Sequence, residues 1–207
     1  MASAKESVDF GQHYAILNLD WMAILINAVE ETPEGKSMIA SCSKWNNAVH
    51  SKSSRPLTVF TTLAFNRGQP EPDANSPFAS LIAPFGSFED GSPEAQIDSR
   101  FTVDKKDVVL RKTRWSATIG NNLEQILKAQ GIDTVIISGL CLSGVVMATI
   151  YRLFDLDYNI YVIRDNVIEL PVDQNEAFAT VMLEALLPKM NLRIISLEEA
   201  IRALFHS

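Results

Sequence analysis

Apolar residues in this chain gather into short runs rich in β-branched side chains, at residues 14–19, 57–63, 108–110, 134–138 and 160–163, with a sixth at 193–195. Runs of this length without polar alternation suit strands buried on both faces, as in a parallel sheet. Between them the spacing changes. Leu123, Ile126 and Leu127 recur at helical intervals up to Gly131, and Phe178, Val181, Met182, Ala185 and Leu186 form a second apolar stripe expected to stop at Pro188. Asp173 with Glu176, and Ser196 with Glu199, read as capping boxes, each opening a helix. Strand and helix patterns alternate, which predicts an α/β fold: a doubly wound, mostly parallel six-stranded sheet with helices on both faces.

The stretch 65–101 departs from that rhythm. Pro70, Pro72, Pro77, Pro84, Pro93 and the glycines among them break any regular element, while Phe65, Phe78, Phe85 and Phe88 supply apolar mass. A long irregular segment inside a compact domain is usually functional or disordered. The aromatic residues favour an ordered excursion that covers the strand ends. No repeat, low-complexity tract or linker marks a second domain, so a single domain is expected over 13–207, preceded by a flexible segment at 1–12.

Composition narrows the function classes. With 207 residues, 47% of them apolar, the chain can bury roughly 70% of its unfolded surface and needs no disulfide or metal to fold. Its formal charge of −7 comes without a basic block or an Arg/Lys stripe, so nucleic acid is not an expected partner. No apolar run reaches the roughly 18 residues of a membrane span, and the polar start lacks the pattern of a secretory signal. A cytoplasmic protein without membrane contact is expected. Cys42 and Cys141 read as free thiols. There is no G-x-S-x-G elbow, phosphate-binding P-loop or H-E-x-x-H motif, and His13, His50 and His206 are scattered. His50 is expected on an exposed helix face and His206 in a terminal tail. A His-dependent triad or His-rich metal site does not fit, and no cofactor is expected.

In an open parallel sheet, ligands bind beyond the carboxyl ends of the strands. That rule places Asp20, Lys112, the loop 140–144 and Asp165 on one rim. Burial would raise the pKa of Asp20 and a nearby Lys112 would lower it. Plainer readings stand beside these: Asp20 as a turn or helix cap, Lys112 as a solvated surface residue, and Ser138–Gly144 as an ordinary β-α turn. If functional, that turn sets backbone amides at a helix N-terminus, where they favour developing negative charge.

Three stretches together carry a family resemblance. They are Ala15-Ile16-Leu17-Asn18-Leu19-Asp20, Lys112-Thr113-Arg114-Trp115-Ser116-Ala117, and the segment from Gly131 to Asp165 with Ser138-Gly139, Val145 through Thr149, Asp155-Leu156-Asp157-Tyr158 and Val162-Ile163-Arg164-Asp165. In order and spacing the chain resembles the isochorismatase-like (cysteine hydrolase) superfamily. The resemblance implies an Asp after the first strand, a Lys before an aromatic-Ser-Ala, and a nucleophilic Cys four residues before a Thr. Asp20 and Lys112 match. Four residues before Thr149 stands Val145, which has no atom able to form a covalent acyl intermediate. The resemblance also implies a non-proline cis peptide near Gly139 to Cys141. The Asp and His pair that binds metal in some nicotinamidases is missing after the second strand, so no metal is expected.

Isochorismatases proper resemble this pattern with a non-thiol at the corresponding position, and there the Asp donates a proton to a vinyl ether. They tend to carry a Gln after the second strand, where this chain has Leu63 or nearby Asn66. The resemblance therefore implies a small-molecule hydrolase acting by Asp-centred acid/base chemistry: Asp20 as acid or base, Lys112 setting its charge, and amides near Cys141 to Val145 holding an oxyanion. Trp21, Phe65, Arg67, Trp115, Leu140, Gly144 and Val145 are the expected substrate-binding residues, with Arg67 able to anchor a carboxylate. Two alternatives stay open: Cys141 as a displaced nucleophile, and a non-catalytic ligand-binding or scaffolding relative. The resemblance further implies a homodimer or larger homo-oligomer.

Overall fold

The computed structural model describes residues 7–207. The six apolar runs form six strands: β1 (Tyr14–Leu19), β2 (Leu57–Leu63), β3 (Val108–Lys112), β4 (Thr134–Leu140), β5 (Asn159–Ile168) and β6 (Arg193–Ile195). They make one sheet in the order β3-β2-β1-β4-β5-β6, and every neighbouring pair is parallel. This is the doubly wound order in which the winding reverses between β1 and β4, opening a crevice at their carboxyl ends.

Helices cover both faces because the strands alternate between two apolar cores. Tyr14 and Ile16 of β1 face one core with α1 (Ala23–Val29) and α2 (Pro33–Ser51). Ala15, Leu17 and Leu19 face the other with α4 (Leu123–Ala129) and α5 (Met147–Phe154), numbered after the short α3 (Pro77–Ile82). The remaining helices are α6 (Asn175–Ala179), α7 (Leu187–Lys189) and α8 (Leu197–His206). Local signals set the ends of several elements. Thr32 accepts a 3.0 Å bond from Gly35 N with Pro33 in the first turn of α2, an arrangement that satisfies one free amide and fixes φ. Ser196 and Glu199 form the expected capping box of α8.

Five sequence expectations change. The stretch 65–101 is ordered, as expected, but it is not without regular elements: α3 starts at Pro77 behind the Ser76 cap, and 3₁₀ turns follow at Ala83–Phe85 and Pro93–Ala95; proline is tolerated in a first helical turn. Asp173 does not cap a helix, because a 3₁₀ turn over Val172–Gln174 precedes α6. The apolar stripe does not stop at Pro188: a wide turn at Thr180–Leu186 continues into α7, where Pro188 lies near the start. His50 is not on an open face; its side chain is 12% exposed and Nε2 lies 3.0 Å from Asp107 Oδ2. His206 belongs to the last turn of α8, its Nδ1 2.6 Å from Arg202 O, and not to a tail. The expected flexible segment 1–12 lies partly outside the described residues. Within it, Phe10 is 1% exposed and packs on Tyr14 and Tyr161.

β5 is longer than its first apolar run. Val162 pairs with Ile137, but Val167 pairs with Gly139, so β5 carries three extra residues across that irregularity. Such an insertion bends a strand and redirects its end. β4 approaches β1 closely at the same level, since a Cβ on Gly139 would lie 2.7 Å from Leu19 Cβ. Together these features bring the ends of β1, β4 and β5 to one place.

Candidate active site

Asp20 follows β1 with φ at +56°, a left-handed conformation that Asp tolerates better than most residues and that nonetheless costs roughly 1–2 kcal/mol. Its backbone N–H donates to Thr61 O at 3.1 Å, tying the turn to β2. The carboxylate accepts from Thr61 Oγ1 at 2.8 Å and meets Lys112 Nζ at 2.7 Å. Lys112, the last residue of β3, also donates to Arg114 O at 2.9 Å. Asp20 and Lys112 are 3% and 1% exposed, so Lys112 is not a solvated surface residue, and Asp20 does not cap α1, whose N-cap is Met22. Burial pushes the Asp20 carboxyl above its ordinary value, while the Lys112 charge and the Lys112 and Thr61 hydrogen bonds pull against it.

The pair lies at the base of a cavity of about 130 Å³. Leu25 and Leu63 form part of its wall, Leu81, Ile82, Phe85 and Phe88 come from the 65–101 excursion, and Trp115, Leu140, Val145 and Leu170 add to the apolar surface. The excursion therefore roofs the strand ends. A roomier groove of about 650 Å³ lies at the opposite end, where Thr134, Asn159 and Arg193 begin their strands. That is the end where open parallel sheets do not place ligands.

The turn after β4 contains a cis peptide between Leu140 and Cys141, followed by a wide turn at Leu142–Val146 that leads into α5. Thr149 of α5 accepts from Ala117 N at 2.9 Å, which fastens the segment after Lys112 to this helix. Side chains of the protein already use amides at this helix entrance. Ser143 N donates to Glu169 Oε2 at 2.7 Å, and the Gly144 N–H bonds to the Cys141 sulfur. Cys141 lines the cavity, but burial first and the Glu169 charge second push its thiol up to about 11. Cys42, the other free thiol, is fully buried in the core.

Of the residues read from sequence, the structure brings Asp20, Lys112, Trp115, Leu140, Cys141 and Val145 to the cavity. Gly144 lies directly behind: a Cβ there would sit 2.7 Å from Cys141 Sγ and 3.4 Å from the Trp115 ring. Trp21, Phe65 and Arg67 do not line it. Trp21 is fully buried against Phe60 and Phe101, with ring centroids 5.9 and 4.6 Å away. Phe65 is buried behind the wall, 6.4 Å from Phe88, and Arg67 is exposed on the excursion. Asp165 is also off the rim. It lies within β5 and accepts from Leu197 N at 2.6 Å, at the start of α8.

Its expected place is taken by Glu169, which sequence reasoning missed because β5 continues beyond its first apolar run. The signal was Val167-Ile168, a second apolar pair after Asp165. Away from the cavity, His50, Asp104 and Asp107 offer ligand atoms within 4.8 Å of one another. Arg55 lies 2.7 Å from Asp104 and 3.2 Å from Asp107, so this cluster is an ion-pair network with its cation already supplied.

Residues 14–199 match the Isochorismatase domain family. The chain is 26% identical over 145 residues to the uncharacterized isochorismatase family protein YwoC of Bacillus subtilis, covering 70% of each. It is 28% identical over 154 residues to N-carbamoylsarcosine amidase of an Arthrobacter species, covering 70% of this chain and only 56% of the amidase. A cysteine hydrolase from Pseudomonas syringae pv. phaseolicola superposes with a TM-score of 0.79 over 100% of this chain and 99% of its own, at 12% identity, a likeness of fold alone.

Proposed function

Since the chain belongs to the isochorismatase family, we propose that it is a small-molecule hydrolase working by acid/base chemistry at Asp20, without a covalent thiol intermediate. The observation that carries this reading is the buried Asp20–Lys112 pair at 2.7 Å, set in an apolar cavity whose wall includes Val145 where a thiol nucleophile would stand. Burial keeps the Asp20 carboxyl inclined to hold a proton, as a general acid requires. Vinyl-ether hydrolysis fits these parts. Asp20 gives its proton to the enol-ether carbon, water adds to the resulting oxocarbenium ion, and the hemiketal parts into a ketone and an alcohol as a proton returns to the carboxylate. Lys112 orients the carboxylate through both reactions.

Amide hydrolysis is not carried over from N-carbamoylsarcosine amidase, because Val145 offers no nucleophile. Nor does Cys141 replace one readily: a thiol held near 11 is almost wholly protonated at neutral pH. Turnover of a panel of small enol ethers, esters and amides tests the proposal. Asp20→Asn is expected to lower the turnover of any substrate found by about 10²–10⁴-fold, and full activity in that variant would overturn the assignment. A second reading, a non-catalytic ligand-binding relative, is favoured by one observation: Glu169 occupies the Ser143 N–H. Absence of turnover by the wild-type protein across the panel would favour it.

A further inference from the structure

Glu169 differs from Asp20, the other acidic residue lining the cavity. It is 2% exposed and lines the same cavity as Asp20 and Lys112. One carboxylate oxygen accepts from Ser143 N at 2.7 Å and the other from Leu170 N at 3.0 Å. Asn175 Oδ1 holds the Glu169 backbone N–H at 2.8 Å. These bonds fix the side chain but bring no positive charge. A carboxylate has about four lone-pair sites, so about two remain for another donor.

No Lys, Arg or His among the described residues forms an ion pair with Glu169, whereas Lys112 is committed to Asp20 and to Arg114 O. Because Lys112 is turned to Asp20 and Arg114 O, the Glu169 side chain faces the cavity with no cationic side chain in contact among the described residues. A buried carboxylate without a counter-charge is unfavourable, and a cation that enters with its own hydrogen bonds relieves it. The surrounding walls suit the rest of such a ligand. Phe85, Phe88 and Trp115 line the cavity, and aromatic faces attract cations as well as apolar groups. Its volume of about 130 Å³ is close to that of an apolar cavity able to hold benzene.

We propose that Glu169 makes this pocket selective for a small organic monocation, an ammonium carried on an apolar body of about one ring. The assignment rests on the cavity being the functional site and names the class of molecule it takes. The ammonium donates to the free lone pairs of Glu169, and the ring lies against Phe85, Phe88 and Trp115. Carboxylate ligands are disfavoured, since the amides at the helix entrance already hold Glu169 and Cys141.

Calorimetric titration of the full chain with three probes of one size, benzylammonium, benzyl alcohol and benzoate, tests this. Benzylammonium is expected to bind at least about tenfold more tightly than benzyl alcohol, with benzoate weakest. Glu169→Gln, which keeps the side-chain length, should bring benzylammonium to the level of the alcohol and leave the alcohol unchanged. Benzoate binding as well as benzylammonium, benzylammonium no better than the alcohol, or an unaltered ranking in the variant would each overturn the proposal. The wild-type ranking needs no variant to fold. Binding needs no proton transfer, so the result stands apart from the outcome of the Asp20→Asn turnover experiment.

Discussion

Asp20 carries opposing demands at one residue. Its left-handed φ of +56° and its burial are both costly, and the Thr61 and Lys112 contacts hold it there. Strained residues that persist because their surroundings over-determine them gather at functional sites. If Asp20 is the acid, turnover falls as pH rises through its elevated pKa, because the protonated form is lost. Thr61→Val removes a hydrogen bond that lowers that pKa, so the falling limb of the pH–rate profile should move to higher pH. A limb that stays in place would separate the profile from Asp20. Cys141 gives a second readout. Its alkylation by iodoacetamide should be slow near neutrality and accelerate up to about pH 11, where its thiolate forms. Rapid modification at pH 7 would instead mark an activated nucleophile.

At the scale of elements, the turn between β4 and α5 depends on a glycine. A Cβ on Gly144 would meet Cys141 Sγ at 2.7 Å, so Gly144→Ala must displace that side chain, at about 1–3 kcal/mol. Urea unfolding of Gly144→Ala, Cys141→Ala and the double variant should show the Gly144 effect shrinking once the sulfur is gone; strict additivity would place the strain elsewhere. The same turn shows what sequence could and could not reveal. Asp20 and Lys112 could be placed at the strand ends from the register of their strands, and Val145 was singled out through the family resemblance, four residues before Thr149. Glu169 was not, since its position follows from the irregularity in β5, and an insertion within a strand leaves the apolar pattern looking like two short runs. Trp21 and Phe65 were misplaced for a related reason. Adjacency to the rim says nothing about which way a large side chain turns, and an antiparallel bridge between Met22 and Ile97 helps hold the Trp21 segment as core.

For the whole molecule, the six parallel strands and their two cores were readable from periodicity, whereas the attachment of the excursion was not, because neither its buried apolar residues nor its polar contacts follow a period. Asp98 is buried and fastens this segment: its N–H donates to Trp21 O at 2.8 Å. Arg100 reaches from Asp98 to Glu30, with contacts of 2.7 Å to each. Burial alone would raise the Asp98 carboxyl, but the Arg100 side-chain and backbone bonds outweigh it and hold the carboxyl below its ordinary value. Asp104 is lowered chiefly by Arg55 and by the Lys106 backbone. A carboxyl lowered in the folded state adds stability that is present above its unfolded pKa and lost as pH falls through the folded value. Asp20, being raised, acts in the reverse sense and loses stability as pH rises. Unfolding midpoints in urea should therefore fall as pH drops below about 4. Asp98→Asn should lose about 1–3 kcal/mol at neutral pH and show a shallower acid decline, because one titrating contributor is gone. If wild type and variant declined with the same slope, the excursion would not be held through this carboxylate, and the roof of the cavity would depend on its aromatic residues alone.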